Sequence, residues 1–361
     1  MTSLYMQRAL ELGEFVLGST SPNPNVGCVI VRDGRIVGEG ATQPVGGAHA
    51  EVMALRQAGD AARGATAYVT LEPCSHIGRT PPCADALIEA GVTAVQVALI
   101  DPDPNVAGRG AEKLRAAGID VTAGDGEAAS AKLLEAYLKH RAIGLPFVIA
   151  KFAATLDGKI AASSGDSRWV AGEEARAWAH GFRTRVDAIM CGVNNVLLDD
   201  PRLTARPGGA AAELQPLRIV ADSRGRTPLG AKVLGPGGKT LIATTDASPS
   251  AWRDEIAAAG AEVCVLATDA NGHVDMLSLL RELGGRGVLS LLVEGGGVLH
   301  GSLFEAKLVD KVHAIIAPKI VGGSAYPAVA GTGAARMTDA VTLRDVEVLR
   351  LGDDVAFVGY I

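Results

Sequence analysis

G-A-H-A-E at residues 47–51 and E-P-C-S-H-I-G-R-T-P-P-C at residues 72–83 are the two stretches that decide the fold of the first part of this chain. They supply one imidazole and two thiols, from His49, Cys74 and Cys83. Three protein ligands of these types are typical of a catalytic zinc ion, which keeps a fourth position open for water. The two stretches therefore predict a zinc site that is built for chemistry.

Glu51 lies two residues after His49 and is the candidate proton carrier of this site. A carboxylate beside such a metal can take a proton from water and return it to a leaving amine. Because a regular helix would point these two side chains to different sides, we expect His49 in a first helical turn. Cys83 precedes A-D-A-L-I-E-A, so it is also expected at a helix start, where a thiolate is favoured. Any one of these residues alone would be read as an ordinary buried side chain, but their joint spacing favours catalysis.

The signature H-x-E, followed by P-C and a second cysteine, resembles that of the zinc-dependent cytidine and deoxycytidylate deaminases. Those enzymes usually carry P-C-x-x-C, whereas eight residues separate the two cysteines here. Together with S-P-N-P-N-V-G at 21–27, S-H-I-G-R-T-P-P-C at 75–83 and D-P-D-P-N-V at 101–106, this spacing closely resembles the deaminase domain of the bifunctional RibD family of riboflavin biosynthesis. The resemblance covers essentially all of residues 1–144.

The resemblance implies particular roles for residues of the first part of the chain. It implies that zinc is bound by His49, Cys74 and Cys83, with Glu51 as proton shuttle. It also implies substrate contacts: Asn23 to the pyrimidine, and a phosphate grip by His76, Arg79 and Thr80. A guanidinium suits phosphate because it forms charge-assisted hydrogen bonds. Asn23 also fits a turn former between prolines, Arg79 also fits a solvated loop charge, and Ile77 departs from the second histidine usual in the family.

The second part of the chain carries a different set of motifs. These are K-F-A-A-T-L-D-G-K at 151–159, S-R-W-V at 167–170, R-T-R-V-D-A-I-M-C-G-V-N-N-V-L-L-D-D-P-R-L-T-A-R at 183–206, I-V-A-D-S at 219–223 and L-L-V-E-G-G-G at 291–297. An apolar strand that ends in glycines before a helix lets backbone amides approach a pyrophosphate. Glycines also make ordinary turns, so this last motif is weak by itself.

In this order and spacing the motifs resemble the reductase domain that accompanies the RibD deaminase, over about 146–361. The resemblance implies a dihydrofolate reductase-like α/β fold and an NADPH cofactor. The implied NADPH contacts are Ala154, Trp169, Asn195, Asp199, Ser223 and the run Gly296, Gly297, Val298, Leu299, His300, Gly301 and Ser302. The implied substrate contacts are Ser167, Arg183, Leu203, Arg206 and Glu294. Asn195 stands where the family often has threonine.

Four charged side chains are the candidates for the chemistry of this second part. Arg183 and Arg206 suit a substrate phosphate, because guanidinium forks match phosphate oxygens. Asp199 and Lys151 are the candidate catalytic groups near the transferred hydride, with Asp199 orienting or protonating the reacting centre. Three simpler interpretations stay open: Asp199 as a turn residue, Lys151 as a strand-edge charge, and Trp169 as packing.

Helix-like and strand-like segments alternate along the whole chain, which indicates α/β layers with largely parallel sheets. We expect two domains, 1–144 and 145–361, because Gly144-Leu145-Pro146 punctuates the end of a helical stretch. With the resemblance, these become a cytidine deaminase-like α/β/α domain and a dihydrofolate reductase-like α/β domain. The predicted strands are 26–31, 35–39, 67–71, 95–100, 147–154, 188–192, 217–221, 239–243, 262–266, 288–293 and 311–317. The predicted helices are 3–18, 49–58, 110–117, 127–141 and one that begins near residue 83.

Composition narrows the classes of partner. The chain has 361 residues, a net charge of −6 and no Lys/Arg-rich run, which argues against nucleic acid as the partner. Its N-terminus is amphipathic and lacks the apolar stretch of a signal peptide, so we expect a cytoplasmic protein without a membrane segment. Five cysteines without an export signal favour metal binding or burial over disulfides. The three outside the motif, Cys28, Cys191 and Cys264, are expected in the core.

The leading hypothesis is a two-step enzyme that deaminates a phosphorylated pyrimidine riboside and then reduces its ribosyl group, using Zn²⁺ and NADPH. The family also suggests a homo-oligomer built through the reductase domain. One rival is a deaminase that acts on cytosine nucleotides or RNA, against which the cysteine spacing and the attached second part argue. Another rival is a nucleotide-binding module with structural zinc, which would need a fourth protein ligand. Loss of activity in one half is a third possibility.

Overall fold

The computed structural model describes residues 2–76, 81–103, 106–324 and 326–361. These divide into two compact units, Met1–Gly144 and Leu145–Ile361. Within the described residues, no helix is long and apolar enough to cross a bilayer.

The first unit holds a five-stranded sheet with the order β2-β1-β3-β4-β5. Its strands are β1 Gly27–Arg32, β2 Arg35–Ala41, β3 Thr66–Leu71, β4 Ala94–Leu99 and β5 Asp120–Ala123. Its helices are α1 Leu4–Phe15, α2 Ala50–Ala58, α3 Cys83–Ala90, α4 Arg109–Ala116, α5 Glu127–Leu133 and α6 Glu135–Ile143. Strand β1 is antiparallel to β2 and β3, while β3, β4 and β5 are parallel.

Local chemistry explains the start of this sheet. Asp33 and Gly34 both have positive φ values, 53° and 73°, and so form the tight turn that joins β1 to β2. Met6 and Ala9 on α1 are fully buried against Val29 and Val31 of β1. The amphipathic first helix and the hairpin were both predicted, and both are confirmed.

The second unit holds a nine-stranded sheet with the order β10-β9-β8-β7-β11-β6-β12-β14-β13. Its strands are β6 Phe147–Thr155, β7 Ala188–Gly192, β8 Leu217–Ala221, β9 Thr240–Thr244, β10 Glu262–Val265, β11 Ser290–Val293, β12 Lys311–Ala317, β13 Arg344–Leu351 and β14 Asp354–Tyr360. Its helices are α7 Glu173–Gly181, α8 Val193–Asp199, α9 Ser250–Ala258, α10 Met276–Gly285 and α11 Gly297–Glu305. The strands from β10 to β12 are parallel neighbours, and β14 and β13 continue the sheet in antiparallel pairs.

Continuous apolar strands fill the core of the second unit. Leu291 and Val293 of β11 are fully buried, as are Ala188 and Met190 on the neighbouring strand β7. Burial on both faces is the reason such strands contain few polar residues. Cys28 and Cys191 are buried as expected, and Cys264 packs against the core while partly exposed.

The structure corrects the sequence prediction at several elements. Strands β5, β13 and β14 were not predicted, and the helix expected over 127–141 is two helices, α5 and α6, because Leu134 leaves helical geometry (φ −101°, ψ 11°). The expectation of largely parallel sheets is correct for the central strands of the second unit. It is wrong for half of the strand pairs of the first unit, because β1 is antiparallel to both of its neighbours.

Candidate active sites

The three predicted zinc ligands lie together in the first unit. Cys74 follows the carboxyl end of β3, His49 is the N-cap residue of α2, and Cys83 is the first residue of α3. The helix-start positions expected for His49 and Cys83 are therefore confirmed. The Nδ1 atom of His49 lies 3.3 Å from Sγ of Cys83 and 3.7 Å from Sγ of Cys74.

These distances fit a tetrahedral zinc ion. With zinc–sulfur bonds of about 2.3 Å and zinc–nitrogen bonds of about 2.1 Å, tetrahedral angles separate the nitrogen and sulfur atoms by about 3.6 Å. All three ligand atoms lie within 4.8 Å of one another, and no fourth His, Cys, Asp or Glu joins this group in the described part of the chain. The donor set is that of an open, catalytic site.

The thiols and the nearby carboxyl group have shifted pKa values. The pKa of Cys74 is lowered by a hydrogen bond with the Cys83 thiol and by a second one with His49. The backbone N–H of Cys83 also donates to Sγ of Cys74 at 3.3 Å. The pKa of Cys83 is raised by that same thiol pairing and by burial. Glu51 is buried, and its pKa is raised to about 7. Burial is the largest cause, and the negative charge of the nearby Cys74 thiolate raises the pKa further. A carboxyl group with this pKa can both accept and release a proton near neutrality.

A cavity of about 130 Å³ adjoins the three ligand residues. Asn23, Glu51 and His76 line it, so the structure brings these predicted residues together. Arg79 and Thr80, the other predicted phosphate contacts, lie outside the described residues.

Four residues that line this cavity were not predicted as site residues: Asp101, Asp103, Tyr137 and Arg141. The Tyr137 hydroxyl donates to Oδ2 of Asp101 at 3.0 Å, and the backbone N–H of Asp103 donates to Oδ1 of Asp101 at 2.9 Å. Arg141 pairs with Oδ2 of Asp103 at 3.6 Å. All four residues line the cavity. The signal was the D-P-D-P motif, since Asp101 lies two residues beyond the carboxyl end of β4, a strand that pairs with β3.

In the second unit, Lys151 and Glu294 lie at the carboxyl end of β11. Arg183 donates to both oxygens of Glu294, from Nε at 2.8 Å and from Nη2 at 2.7 Å. Nζ of Lys151 lies 3.9 Å from Oε2 of Glu294. Burial opposes the charge on Glu294, but Arg183 and Lys151 outweigh it and hold its pKa at about 2. Lys151 is therefore part of a buried charge cluster on the central strand β6 and is not a strand-edge charge.

The two arginines that were predicted to bind phosphate have different surroundings. Arg183 is 11% exposed, and its remaining terminal nitrogen donates to the backbone oxygen of Thr204 at 3.0 Å, so its donors already have partners. Arg206 is exposed, and no ion pair joins it to a carboxylate within the described ranges. Of the two, Arg206 has the guanidinium that is open to a ligand.

Asp199, the last residue of α8, accepts a hydrogen bond from the Ser167 hydroxyl at 2.8 Å. Two predicted contacts are thereby brought together. The Trp169 ring is 62% exposed and lies under the Arg176 guanidinium at 4.3 Å, so it is not core packing. Leu203 is 3% exposed, in a left-handed conformation with φ of 50°.

A cavity of about 260 Å³ lies at the carboxyl ends of β7, β8 and β11. Of the predicted NADPH contacts it is lined by Ser223, Gly296, Val298, Leu299 and Ser302. Ligands of parallel α/β sheets bind at this edge. The remaining predicted contacts, Ala154, Trp169, Asn195, Asp199, Gly297, His300 and Gly301, are not among its lining residues.

Three residues of the predicted cofactor run pack helix α11 closely against residues 327–330. A Cβ at Gly297 would lie 2.1 Å from the backbone oxygen of Pro327. A Cβ at Gly301 would lie 2.0 Å from the backbone oxygen of Ala330. His300 is 1% exposed, with Nδ1 3.1 Å from the backbone oxygen of Ala328. These residues serve close packing of the helix.

Asn195 lies beside the cavity. Its amide would be 2.8 Å from a Cβ at Gly295 and 2.9 Å from one at Gly296, and its buried Oδ1 atom has no hydrogen-bond partner. An unpaired buried oxygen and glycines without room for side chains fit the approach of a ligand with hydrogen-bond donors.

Comparisons with known proteins agree across both units. The family profile described as "RibD C-terminal domain" matches residues 146–357, and "Cytidine and deoxycytidylate deaminase zinc-binding region" matches residues 1–99. The riboflavin biosynthesis protein RibD of Escherichia coli K12 is 42% identical over 97% of this chain and 97% of its own length. The chain belongs to the RibD family. Within this family, RibD of Chlamydia trachomatis is 45% identical over 90% of this chain and 86% of its own.

Solved structures of RibD proteins share the whole fold. Acinetobacter baumannii RibD has a TM-score of 0.88 and 38% identity, covering 99% of this chain and 97% of its own. A Thermotoga maritima protein named as a diaminohydroxyphosphoribosylaminopyrimidine deaminase/5-amino-6-(5-phosphoribosylamino)uracil reductase has a TM-score of 0.86 and 33% identity, covering 99% and 98%. The predicted fold class is confirmed. This chain is a bifunctional riboflavin biosynthesis enzyme with a zinc-binding deaminase domain and a reductase domain, as its sequence predicted.

Proposed function

We propose that the first domain hydrolyses the exocyclic 2-amine of 2,5-diamino-6-(ribosylamino)-4(3H)-pyrimidinone 5′-phosphate. The second domain then reduces the ribosyl group with NADPH and gives 5-amino-6-(ribitylamino)uracil 5′-phosphate. The observation that carries the proposal is the triangle of ligand atoms with the buried Glu51 carboxyl in the wall of the same cavity. The name of the Thermotoga maritima relative supports this choice of substrates.

In the deaminase, His49, Cys74 and Cys83 hold Zn²⁺, which when bound supplies an activated water. Glu51 takes a proton from the attacking water and delivers protons to the ring nitrogen and the departing amine. Its buried position keeps bulk water from competing for this proton. Asn23 and His76 lie in the cavity wall, where Asn23 orients the pyrimidine and His76 faces the ribose phosphate side.

In the reductase, NADPH when bound supplies the hydride for C1′ of the opened ribosyl group. Lys151 and Arg183 fix the carboxylate of Glu294, which can then accept hydrogen bonds from the pyrimidine. Asp199, tied to the Ser167 hydroxyl, orients the reacting centre. Arg206 is exposed and binds the substrate phosphate. Ser223 and Gly296 lie in the wall of the cavity that receives the cofactor.

Glu51→Gln tests the deaminase assignment. The amide keeps the size of the side chain but cannot carry the proton, so ammonia release should fall by roughly 10²-fold to 10⁴-fold. Zinc content, measured by plasma mass spectrometry, should not change. NADPH oxidation should be normal when the deaminated intermediate is supplied. Glu89→Gln, an exposed glutamate of the same domain, is the matched control.

Full deaminase activity in Glu51→Gln would overturn the proton-carrier role. Faster release of ammonia from cytidine or from a tRNA loop than from the pyrimidine phosphate would favour the rival deaminase. We also propose that the protein is cytoplasmic and forms a homo-oligomer through the reductase domain. Sedimentation analysis of the separately expressed region 145–361 tests whether this region forms an oligomer.

A further inference from the structure

The turn T-L-D-G-K at 155–159, where strand β6 ends, has no role in the reaction proposed above. Both carboxylate oxygens of Asp157 accept hydrogen bonds there. Oδ1 accepts from the Thr155 hydroxyl at 2.6 Å and from the backbone N–H of Val321 at 3.1 Å, and Oδ2 accepts from the backbone N–H of Gly322 at 2.7 Å. The Thr155 hydroxyl and then the Gly322 N–H lower the pKa of Asp157 to about 2, so this group is charged at neutral pH.

The same turn holds the chain that leaves strand β12. Strands β6 and β12 are parallel neighbours, and Thr155 pairs with Ala317 where both strands end. The backbone N–H of Leu156 donates to the backbone oxygen of Lys319 at 2.8 Å. Together with the bonds of Asp157, this contact fixes the backbone of residues 319–322 and therefore the base of the Lys319 side chain.

The Lys319 side chain joins this segment to a second one. Its Nζ atom donates to the backbone oxygen of Trp169 at 2.6 Å and to that of Val170 at 3.0 Å, 150 and 149 positions away in the chain. An ammonium group has three N–H donors, and its charge strengthens each hydrogen bond. Because two successive carbonyl groups bind one ammonium group, Lys319 fixes the direction of the backbone at 169–170.

Residues 167–170 connect this contact to the proposed reacting centre. The Ser167 hydroxyl donates to Oδ1 of Asp199 at 2.8 Å, and Nη2 of Arg168 donates to the backbone oxygen of Asp199 at 3.1 Å. One end of the segment is therefore held by the last residue of α8, and the other end is held by Lys319.

Resting on the proposed NADPH-dependent reduction, we infer that Lys319 and Asp157 are positioning residues of the reductase. Asp157 fixes the backbone beside Lys319, and Lys319 fixes residues 167–170. This segment carries Ser167 and Trp169, a predicted substrate contact and a predicted cofactor contact. Loss of either positioning residue leaves those contacts in the chain but lets their segment leave the binding-competent arrangement.

Lys319→Met tests the inference, because it keeps the length of the side chain and removes its charge and donors. Hydrogen–deuterium exchange of the peptide 167–171 should become at least about 10-fold faster. The dissociation constant of NADPH, measured by calorimetry, and KM for NADPH should rise by about the same factor, because binding must then order the segment. With the deaminated intermediate as substrate, kcat should stay within about twofold of the wild type, since the bound arrangement is unchanged.

Two substitutions provide rescue and control. Lys319→Arg keeps the charge and the donors, so it should recover most of the affinity for NADPH. Lys239→Met removes an exposed lysine directly before β9, at the edge of the sheet opposite to the cofactor cavity, and should change neither exchange nor affinity. Ammonia release, which depends on the first domain, should be normal in every variant. The midpoint of thermal unfolding of Lys319→Met should stay within about 2 °C of the wild type, because its contacts are exposed.

Asp157→Ala tests whether the two residues act through one segment. It should also raise KM for NADPH, and the double variant Asp157→Ala/Lys319→Met should be within about twofold of the weaker-binding single variant. Two losses that multiply in the double variant would overturn this linkage and with it the inference.

Unchanged exchange of residues 167–171, or unchanged affinity for NADPH, in Lys319→Met would also overturn the inference while the reductase assignment stands. Failure of the wild type to bind NADPH would instead remove the proposed reductase function itself, together with the positioning role that rests on it.

Discussion

Glu294 shows how a single buried carboxylate ties the stability of the reductase domain to pH. Its side chain is 8% exposed, and Arg183 and Lys151 hold its pKa at about 2, below the ordinary 4.5, against the opposing effect of burial. A carboxyl group whose pKa is depressed by folding stabilises the folded state above its ordinary pKa. That contribution is lost as the pH falls from about 4.5 towards 2.

We predict that Glu294→Gln destabilises the second domain at pH 7 by about 3 kcal/mol, because two buried cations lose their counter-charge. The wild-type free energy of unfolding should fall as the pH is lowered from 4.5 towards 2, and the variant should lack this part of the decline. Denaturant titration followed by tryptophan fluorescence is the measurement. All three tryptophans, Trp169, Trp178 and Trp252, belong to the second unit, so the signal reports that unit alone.

Glu282→Gln provides the control for this prediction. Glu282 pairs with Arg286 on the surface of α10 and is 41% exposed, so its loss should cost less than about 1 kcal/mol. Equal destabilisation by the two variants, or an unchanged pH profile in Glu294→Gln, would show that the buried cluster does not stabilise the fold.

Single residues were predictable from sequence where their chemistry is compact in the chain. His49, Cys74 and Cys83 could be found because metal ligation restricts both residue type and spacing. Tyr137 was missed because it lies in no motif, and its hydrogen bond joins it to Asp101, 36 positions away. The ion pair of Arg183 with Glu294 was missed because 111 positions separate the two residues, although both had been predicted to contact the substrate.

Helix α11 shows that glycines in a cofactor-like motif can serve the packing of an element. A Cβ at Gly301 would lie 2.0 Å from the backbone oxygen of Ala330, a contact that cannot be relieved by a side-chain rotation. We predict that Gly301→Ala destabilises the second domain by roughly 1–3 kcal/mol, through displacement of the helix or of residues 327–331. Tryptophan-detected denaturation is again the measurement.

Gly285→Ala is the matched substitution for this prediction. Gly285 ends helix α10, and a Cβ there would meet no atom within 4 Å. Alanine should leave stability unchanged or raise it by up to about 1 kcal/mol, because it favours the helix. If Gly301→Ala were as well tolerated as Gly285→Ala, close packing would not explain the glycine.

Whole elements were predictable where burial gives an apolar pattern. Strands β7, β8 and β12 are apolar runs that the sequence shows directly, since both faces are covered. Strand β13 has the sequence R-D-V-E-V-L-R-L and is exposed along most of its length, so its pairing with β14 leaves no apolar run to detect. Strand β5 has four residues and a single buried position, Val121, which is too short a pattern to recognise.

At the scale of the molecule, the chain is divided into two units with separate hydrophobic clusters. Met6, Val29 and Ala98 belong to a cluster of the first unit, while Met190 and Leu291 belong to one of the second. The division between the two compact units falls after Gly144 in the chain. All three zinc-ligand candidates precede this boundary, and the cavity proposed for NADPH is lined only by residues that follow it.

This division predicts that removal of zinc separates the two reactions. Treatment with 1,10-phenanthroline should reduce ammonia release by at least about 100-fold, because the zinc ion that His49, Cys74 and Cys83 would hold supplies the activated water. NADPH oxidation should stay within about twofold of the untreated enzyme when the deaminated intermediate is supplied, because the three zinc-ligand candidates belong to the first unit and the cluster around Glu294 belongs to the second. Ammonia and the absorbance of NADPH are followed separately in the same samples. The non-chelating isomer 1,7-phenanthroline should affect neither reaction, and added Zn²⁺ should restore the first. A parallel loss of NADPH oxidation would contradict this prediction. It would mean that the reductase depends on the zinc-bound state of the first domain, although the zinc-ligand candidates and the residues that line the cavity proposed for NADPH are separate.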